Sequence, residues 1–219
     1  MDLSVVIPTL NAARLLPAAL TALGHAPDEV IVADGGSDDG TPDIAAALGA
    51  RVITASRGRG TQLAAAIAVT QHAWVLLIHA DTRLEPRWQV TASAFMAQGP
   101  QRAGYFRFAL DSADPRARRL ERLVAWRCRV LALPYGDQGL LLHRDLLGSI
   151  GGIPPIPLME DVALVRRLGR DRLVALDAAA VTSAAKWEKG GWRLGSARNL
   201  VCLALYFAGI PPQAIARLY

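Results

Sequence analysis

The first hundred residues alternate short apolar runs with helix-forming stretches, and few folds accept that pattern. Leu3-Ser4-Val5-Val6-Ile7 is a β-branched run stopped by Pro8 and reads as a strand. Glu29 to Ala33, Arg51 to Thr54 and Trp74 to His79 repeat the signal. Between them lie an Ala/Leu-rich helix from an Asn11 cap to about Leu23, a second from Thr41-Pro42 to about Leu48, and a third over Thr61 to Gln71. Glu85-Pro86 opens a fourth. The strands are apolar throughout, so both of their faces must be covered. That predicts an α/β fold, with a mostly parallel sheet and helices on both sides.

The rest is less regular. Gly104 to Leu110 and Gln138 to Leu142 read as strands, Pro115 to Leu131 as a strongly basic helix, and Glu160 to Leu168 as a short helix. Residues 150–158 are too rich in Gly and Pro for regular structure, and Trp192 to Ala208 reads as an apolar helix. No repeat or low-complexity linker interrupts the 219 residues, and a 52% apolar content suffices for one core. The expectation is a single domain over 1–219, with a helical C-terminal extension.

Charge divides that domain. Residues 1–110 hold eight basic and nine acidic side chains, whereas residues 111–219 hold sixteen and ten. The basic half suggests an anionic partner. No nucleic-acid motif is present and aromatics are only 6%, so nucleic acid is not the expected one. Cys128 and Cys202 form no metal or disulfide framework, the N-terminus has no basic leader, and Leu200 to Ile210 is too short to span a bilayer. These features predict a cytoplasmic protein, with the inner face of the membrane as an alternative location.

Ligands of open α/β sheets bind beyond the carboxyl ends of the strands. Thr9 and Asn11, Asp34, and Asp81 stand at three such ends. One carboxylate there can accept from a nucleoside and another can hold a divalent cation on a diphosphate, though Asp is also an ordinary turn residue. Other sites fit poorly. The first turn, Pro8-Thr9-Leu10-Asn11, lacks the glycines of a dinucleotide fingerprint. Residues 34–40 lack the ligand spacing of an EF-hand, and there is no P-loop lysine.

Taken together, Ser4 to Asn11, Val30 to Thr41, Leu77-Ile78-His79-Ala80-Asp81-Thr82 and Met159-Glu160-Asp161 resemble the ordered motifs of a family 2 glycosyltransferase. The resemblance implies a GT-A-like, Rossmann-like fold, with residues 1–110 as the nucleotide-sugar and metal half and 111–219 as the acceptor half. Arg57-Gly58-Arg59-Gly60-Thr61-Gln62-Leu63, Gly136-Asp137-Gln138-Gly139 and the stretch from Ala208 to Tyr219 are similar to a short bacterial branch, the arsenosugar-biosynthesis-type glycosyltransferases. The implied reaction is inverting transfer from a UDP-sugar, or a GDP-sugar, to an unidentified small-molecule or lipid-linked hydroxyl acceptor.

The implied roles follow the motifs. Donor binding falls to Pro8, Thr9, Asn11, Asp34, Gly35, Arg57, Arg59, Gln62, Ala80, Asp81 and Gln138. Asp161 is the implied general base, beside Glu160. Asp81 is the implied ligand of Mn²⁺ or Mg²⁺. His79 replaces the usual first aspartate of the metal motif, and its nitrogen suits Mn²⁺ better than Mg²⁺. Two other classes stay open. One is a non-catalytic domain of the same fold that binds nucleotide or an anionic surface. The other is a sugar nucleotidylyltransferase, although its Gly/Arg-rich first loop is missing.

Two segments are unassigned. The arginines of residues 116–129 suit an anionic acceptor, acidic lipid or plain solvent. Lys186 to Arg193 suits a lid hinged at Gly190-Gly191, or an anchor placing Trp187 and Trp192 in a membrane or dimer seam. The apolar C-terminal helix suits core or homodimer contact.

Overall fold

A strand with no solvent-facing side needs cover on both faces, and β1 (Leu3–Thr9) receives it. Leu3, Val5 and Ile7 enter one apolar cluster and Val6 enters another. Its buried hydroxyl, Ser4 Oγ, donates to Glu29 at 2.7 Å, so this polar group is not stranded. The computed structural model describes residues 1–218, apart from the side chains at positions 186, 189 and 193–196.

The parallel core comprises β1, β2 (Glu29–Asp34), β3 (Arg51–Thr54) and β4 (Trp74–Leu77) in the order 3-2-1-4. The first face is covered by α1 (Leu16–Leu23) and α4 (Trp88–Met96), with Leu16, Leu20, Trp88 and Phe95 in the cluster. Opposite lie α3 (Arg59–Val69), α6 (Arg144–Ser149) and α7 (Glu160–Leu168), which contribute Leu63, Leu146 and Leu164. A shorter α2 (Thr41–Ala47) links β2 to β3.

Beyond β4 the sheet becomes mixed. β7 (Leu140–His143) runs antiparallel to β4 and to β6 (Ala103–Leu110). β8 (Leu173–Thr182) runs parallel to β6, and β5 (Thr82–Leu84) closes the edge antiparallel to β8. The eight strands described are ordered 3-2-1-4-7-6-8-5, and four of the seven pairings are parallel. This is the α/β architecture anticipated from the alternation.

Local differences have identifiable causes. Asn11 caps no helix. It adopts φ 52, accepts from the Asp38 N–H and leaves α1 to begin at Leu16, because its amide serves a loop-to-loop contact. Thr41 lies inside α2, whose cap is Gly40 at φ 82. The strand predicted over Trp74 to His79 stops at Leu77, although the Ile78 N–H still donates to the Val6 carbonyl at 3.1 Å. Gln138 belongs to a 3-10 turn over Gly136–Gln138 that precedes β7.

β8 is absent from the pattern reading because Leu-Val-Ala-Leu-Asp-Ala-Ala-Ala-Val-Thr has weak strand propensity. Eight paired positions along β6 impose it instead, with a bulge between Phe106 and Arg107.

The basic stretch is α5 (Pro115–Leu131), as the sequence predicts. Asp114 caps it by accepting the Arg116 N–H at 2.8 Å, with Pro115 at its first position. The proposed lid is helical: α8 (Ala185–Gly190) and α9 (Trp192–Phe207) meet at Gly191, φ 82. Trp187 packs edge-on against Phe108, 6.4 Å between centroids, so it is a core residue rather than an anchor. The Lys186, Lys189 and Arg193 side chains of that segment, and Tyr219, lie outside the described residues. A last short helix, α10 (Pro212–Ile215), buries Ile215. No helix among the described residues is long and apolar enough to cross a membrane.

Candidate active site

Two loops at the carboxyl ends of β1 and β2 are bound together through Asp34. Its Oδ1 accepts from Thr9 Oγ1 at 2.9 Å and Ser37 Oγ at 2.5 Å, and its Oδ2 from the N–H groups of Gly36 and Ser37 at 2.9 and 2.8 Å. Burial alone would raise this carboxyl. The donors from Ser37, Thr9 and Gly36 outweigh that effect and hold it below the usual carboxylate range. Asn11 N–H donates to Ser37 Oγ, and Ala12 N–H to Thr41 Oγ1, both at 2.8 Å. Gln62 completes the floor, its amide donating to the Thr9 and Ala33 carbonyls at 2.7 Å each.

This floor supports an open cleft of about 400 Å³. Pro8, Thr9, Asn11 and Gln62 line it on one side, Arg57 and Arg59 on the next, and His79, Ala80 and Asp81 at its far end. The predicted donor residues Asp34, Gly35 and Gln138 are not among its lining residues. Asp34 has all four acceptor positions filled by the protein. Gly35 leaves room for the Gln62 amide, which a Cβ would meet at 3.1 Å. Gln138 is buried. It donates to the Phe106 carbonyl at 3.0 Å and accepts from Arg127 at 3.2 Å, and so ties β6 to α5.

A second cavity, of about 190 Å³, shares Arg59, His79, Asp81 and Leu158 with the first. Tyr135, Asp137, Asp161, Thr182 and Trp187 add to its wall, and Asn199 and Leu203 of α9 close it. Asp161 opens α7. Its Oδ2 accepts from the Gly136 N–H and its Oδ1 from the Val162 N–H, each at 2.8 Å. Gly136 has a steric reason to be glycine, since a Cβ there would stand 2.5 Å from His79 Nε2.

Glu160 lines neither of these cavities. It is 2% exposed and overlooks an apolar hollow lined by Leu63, Ile78, Ile153 and Leu164. Arg59 Nε approaches its Oε1 to 2.9 Å as an ion pair, but neither Glu160 oxygen accepts an aligned hydrogen bond among the described residues. Burial, reinforced by the Asp161 charge and opposed by Arg59, pushes Glu160 up to about 7.

Asp137 is a wall residue that motif reading of single roles does not single out. Burial, with opposing influence from Arg127 and further upward pressure from Asp161 and Asp81, lifts its carboxyl to about 6. Although the residue is partly exposed, its Oδ1 is buried with no hydrogen-bond partner among the described residues. The available signal is its place in Gly136-Asp137-Gln138-Gly139, an acid held in a tight turn between two glycines.

The loop carrying Arg57 and Arg59 and the segment leading to Asp161 are in backbone contact. Gly60 N–H donates to the Ile156 carbonyl at 3.1 Å, and a Cβ on Gly60 would collide with the Pro154 and Ile156 backbone. The two segments are therefore registered against each other by close packing.

An open cleft meeting a carboxylate-walled pocket at a strand-end His-Ala-Asp is the geometry on which the family comparison bears. Residues 4–142 match the family described as Glycosyl transferase family 2. The chain belongs to that family. It is accordingly a glycosyltransferase.

Solved structures share its fold. Glucosyl-3-phosphoglycerate synthase from Mycobacterium tuberculosis, in complex with Mn²⁺ and uridine-diphosphate-glucose, is 23% identical at a TM-score of 0.62. The match covers 95% of this chain and 79% of that one. The same enzyme in complex with phosphoglyceric acid gives 24% identity and a TM-score of 0.65, over 95% and 80%. A mannosyltransferase from Pyrobaculum calidifontis, in complex with GDP-Man and Mn²⁺, is 20% identical at a TM-score of 0.63. That match covers 91% of this chain, which spans only 62% of the mannosyltransferase.

Proposed function

We propose that this glycosyltransferase transfers a sugar from a UDP-sugar to a hydroxyl acceptor with inversion, Asp161 acting as the general base. The observation that carries the proposal is the junction of the two cavities at Arg59, His79 and Asp81, with Asp161 on the wall of the second. Nucleoside and diphosphate occupy the open cleft, and the acceptor enters the pocket closed by α9. Arg57 and Arg59 pair with phosphate oxygens, where a guanidinium fork suits them. Gly136 and Val162 N–H groups hold the Asp161 carboxylate in one orientation, so it takes the acceptor proton without first reorganising. Asp34 serves the donor indirectly, by fixing the Thr9 to Asn11 edge.

A divalent cation fits this site. Asp81 and His79 offer one carboxylate and one imidazole within a wall that also carries Asp137 and Asp161. Among the described residues no group of three His, Cys, Asp or Glu side chains is placed to hold an ion by itself, so donor phosphates would have to supply the remaining ligands. His79 favours Mn²⁺ over Mg²⁺. When bound, the ion neutralises charge developing on the diphosphate leaving group. The solved relatives held with Mn²⁺ and a UDP- or GDP-sugar support this assignment. The Arg57 to Leu63 and Gly136 to Gly139 stretches support placement in the short arsenosugar-type branch.

Thermal shift with UDP-, GDP- and dTDP-sugars, each with Mn²⁺ or Mg²⁺, tests the donor. Stabilisation by the UDP series with Mn²⁺ is expected, and a shift confined to another base overturns the UDP assignment. Asp81→Ala should abolish the metal dependence of donor binding in calorimetry. Metal dependence that survives the substitution removes Asp81 from the site.

A further inference from the structure

α5 contains six arginines against one glutamate, yet its outward side is not uniformly polar. Ala117, Val124 and Cys128 are buried. Directly opposite, at helical spacing, stand Leu123, Trp126 and Val130, which are 63%, 49% and 43% exposed. Exposed large apolar groups arranged in a stripe mark a contact surface, whereas isolated ones need no explanation.

Arg119 lies within that stripe, and Arg122 and Arg129 run along one side of it. All three are exposed, and among the described residues none forms a salt bridge within 4 Å. Arg116 and Arg118, by contrast, are paired with Asp114 and Glu121. The patch extends beyond α5. Arg170 donates to the Arg129 and Val130 carbonyls at 2.9 and 2.5 Å, and Arg166, one turn earlier, stacks 5.0 Å over Phe207 at the end of α9. Phe207 and Ile210 are themselves exposed. α9 also lines the acceptor pocket through Asn199 and Leu203, so the patch and the pocket share one helix.

We propose that the outer face of α5, continued by the C-terminal turn of α9, docks the protein on an anionic lipid bilayer. An apolar stripe interleaved with one arginine and lined along one side by two more matches the boundary between acyl chains and anionic headgroups, with Trp126 as the interfacial aromatic. A second copy of the chain fits less well. A two-fold contact through this face would set Arg119, Arg122 and Arg129 against their own counterparts. The inference does not depend on which sugar is transferred, because none of the six α5 residues of the patch lines either cavity.

The test is flotation of the full chain with vesicles. Binding to phosphatidylcholine–phosphatidylglycerol vesicles at low salt is expected, with little binding to pure phosphatidylcholine. At about 1 M salt, where the Debye length falls to about 3 Å, binding should weaken strongly. Each of Arg119→Gln and Arg129→Gln should lower partitioning about fivefold, and Leu123→Ser with Trp126→Ser by about tenfold or more. All four positions are exposed, so melting temperature and donor binding should be unchanged in these variants. Equal binding to both vesicle types, binding to neither, or partitioning indifferent to the substitutions overturns the proposal. So does a dimer in sedimentation velocity that the Leu123/Trp126 variant dissociates, which would assign the face to self-association.

Discussion

Asp34 and Glu160 are both almost wholly buried carboxylates, 3% and 2% exposed, and they belong to opposite sides of the site. Asp34 receives four hydrogen bonds from three neighbouring residues, whereas Glu160 has one arginine and an apolar hollow. The loop after β2 is thus assembled around a satisfied charge. The start of α7 and the turn before β7 hold carboxyls, Glu160 and Asp137, that burial brings toward neutral pH. The difference separates a charge satisfied by its own loop from charges that burial keeps poised near neutrality.

The largest expected effect lies on the acceptor side. Asp161→Asn should lower transfer by about 10²–10⁴-fold while nucleotide-sugar binding by calorimetry stays intact. Turnover within a few-fold of wild type would move the base elsewhere, with Asp137 next to be tested. On the donor side, Asp34→Ala strands the Gly36 and Ser37 N–H groups and should cost about 3 kcal/mol in urea unfolding. A loss near zero would show that the loop does not depend on its central charge.

The smallest effect is also the sharpest contrast in sign. Glu160 titrates near 7 when folded against an ordinary 4.5, so the folded state keeps its proton longer. Its contribution is therefore full below about 4.5 and lost as pH rises through about 7. Asp34, held low, contributes above its ordinary 3.8 and loses that contribution as pH falls. Unfolding of Glu160→Gln across this range should show a flatter decline than wild type. Identical pH profiles would mean that Glu160 is already ionised in the folded protein near pH 5.

Much of the first half was readable because strand and helix periodicity there agree with tertiary need. Arg51 to Thr54 and the α5 and α7 bounds follow directly from pattern and caps. β8 was not readable, since three consecutive alanines carry little strand preference and only the ladder with β6 makes them one. The site divides likewise. Strand-end position was enough to mark Thr9, Asn11 and Asp81 as cleft residues. It also marked Asp34, whose oxygens turn inward to Thr9, Gly36 and Ser37. No linear pattern distinguishes a carboxylate facing a ligand from one facing its own loop.

Order and spacing along the chain determined the sheet core, the family motifs and the basic character of α5, because these depend on local propensity and near-neighbour chemistry. Tertiary packing decided that Arg59 reaches Glu160, that Gly136 makes room for His79, and that Trp187 is buried while Trp126 is exposed. Those outcomes depend on segments far apart in sequence competing for the same space and the same hydrogen-bond partners, and that competition exists only once the chain has closed on itself.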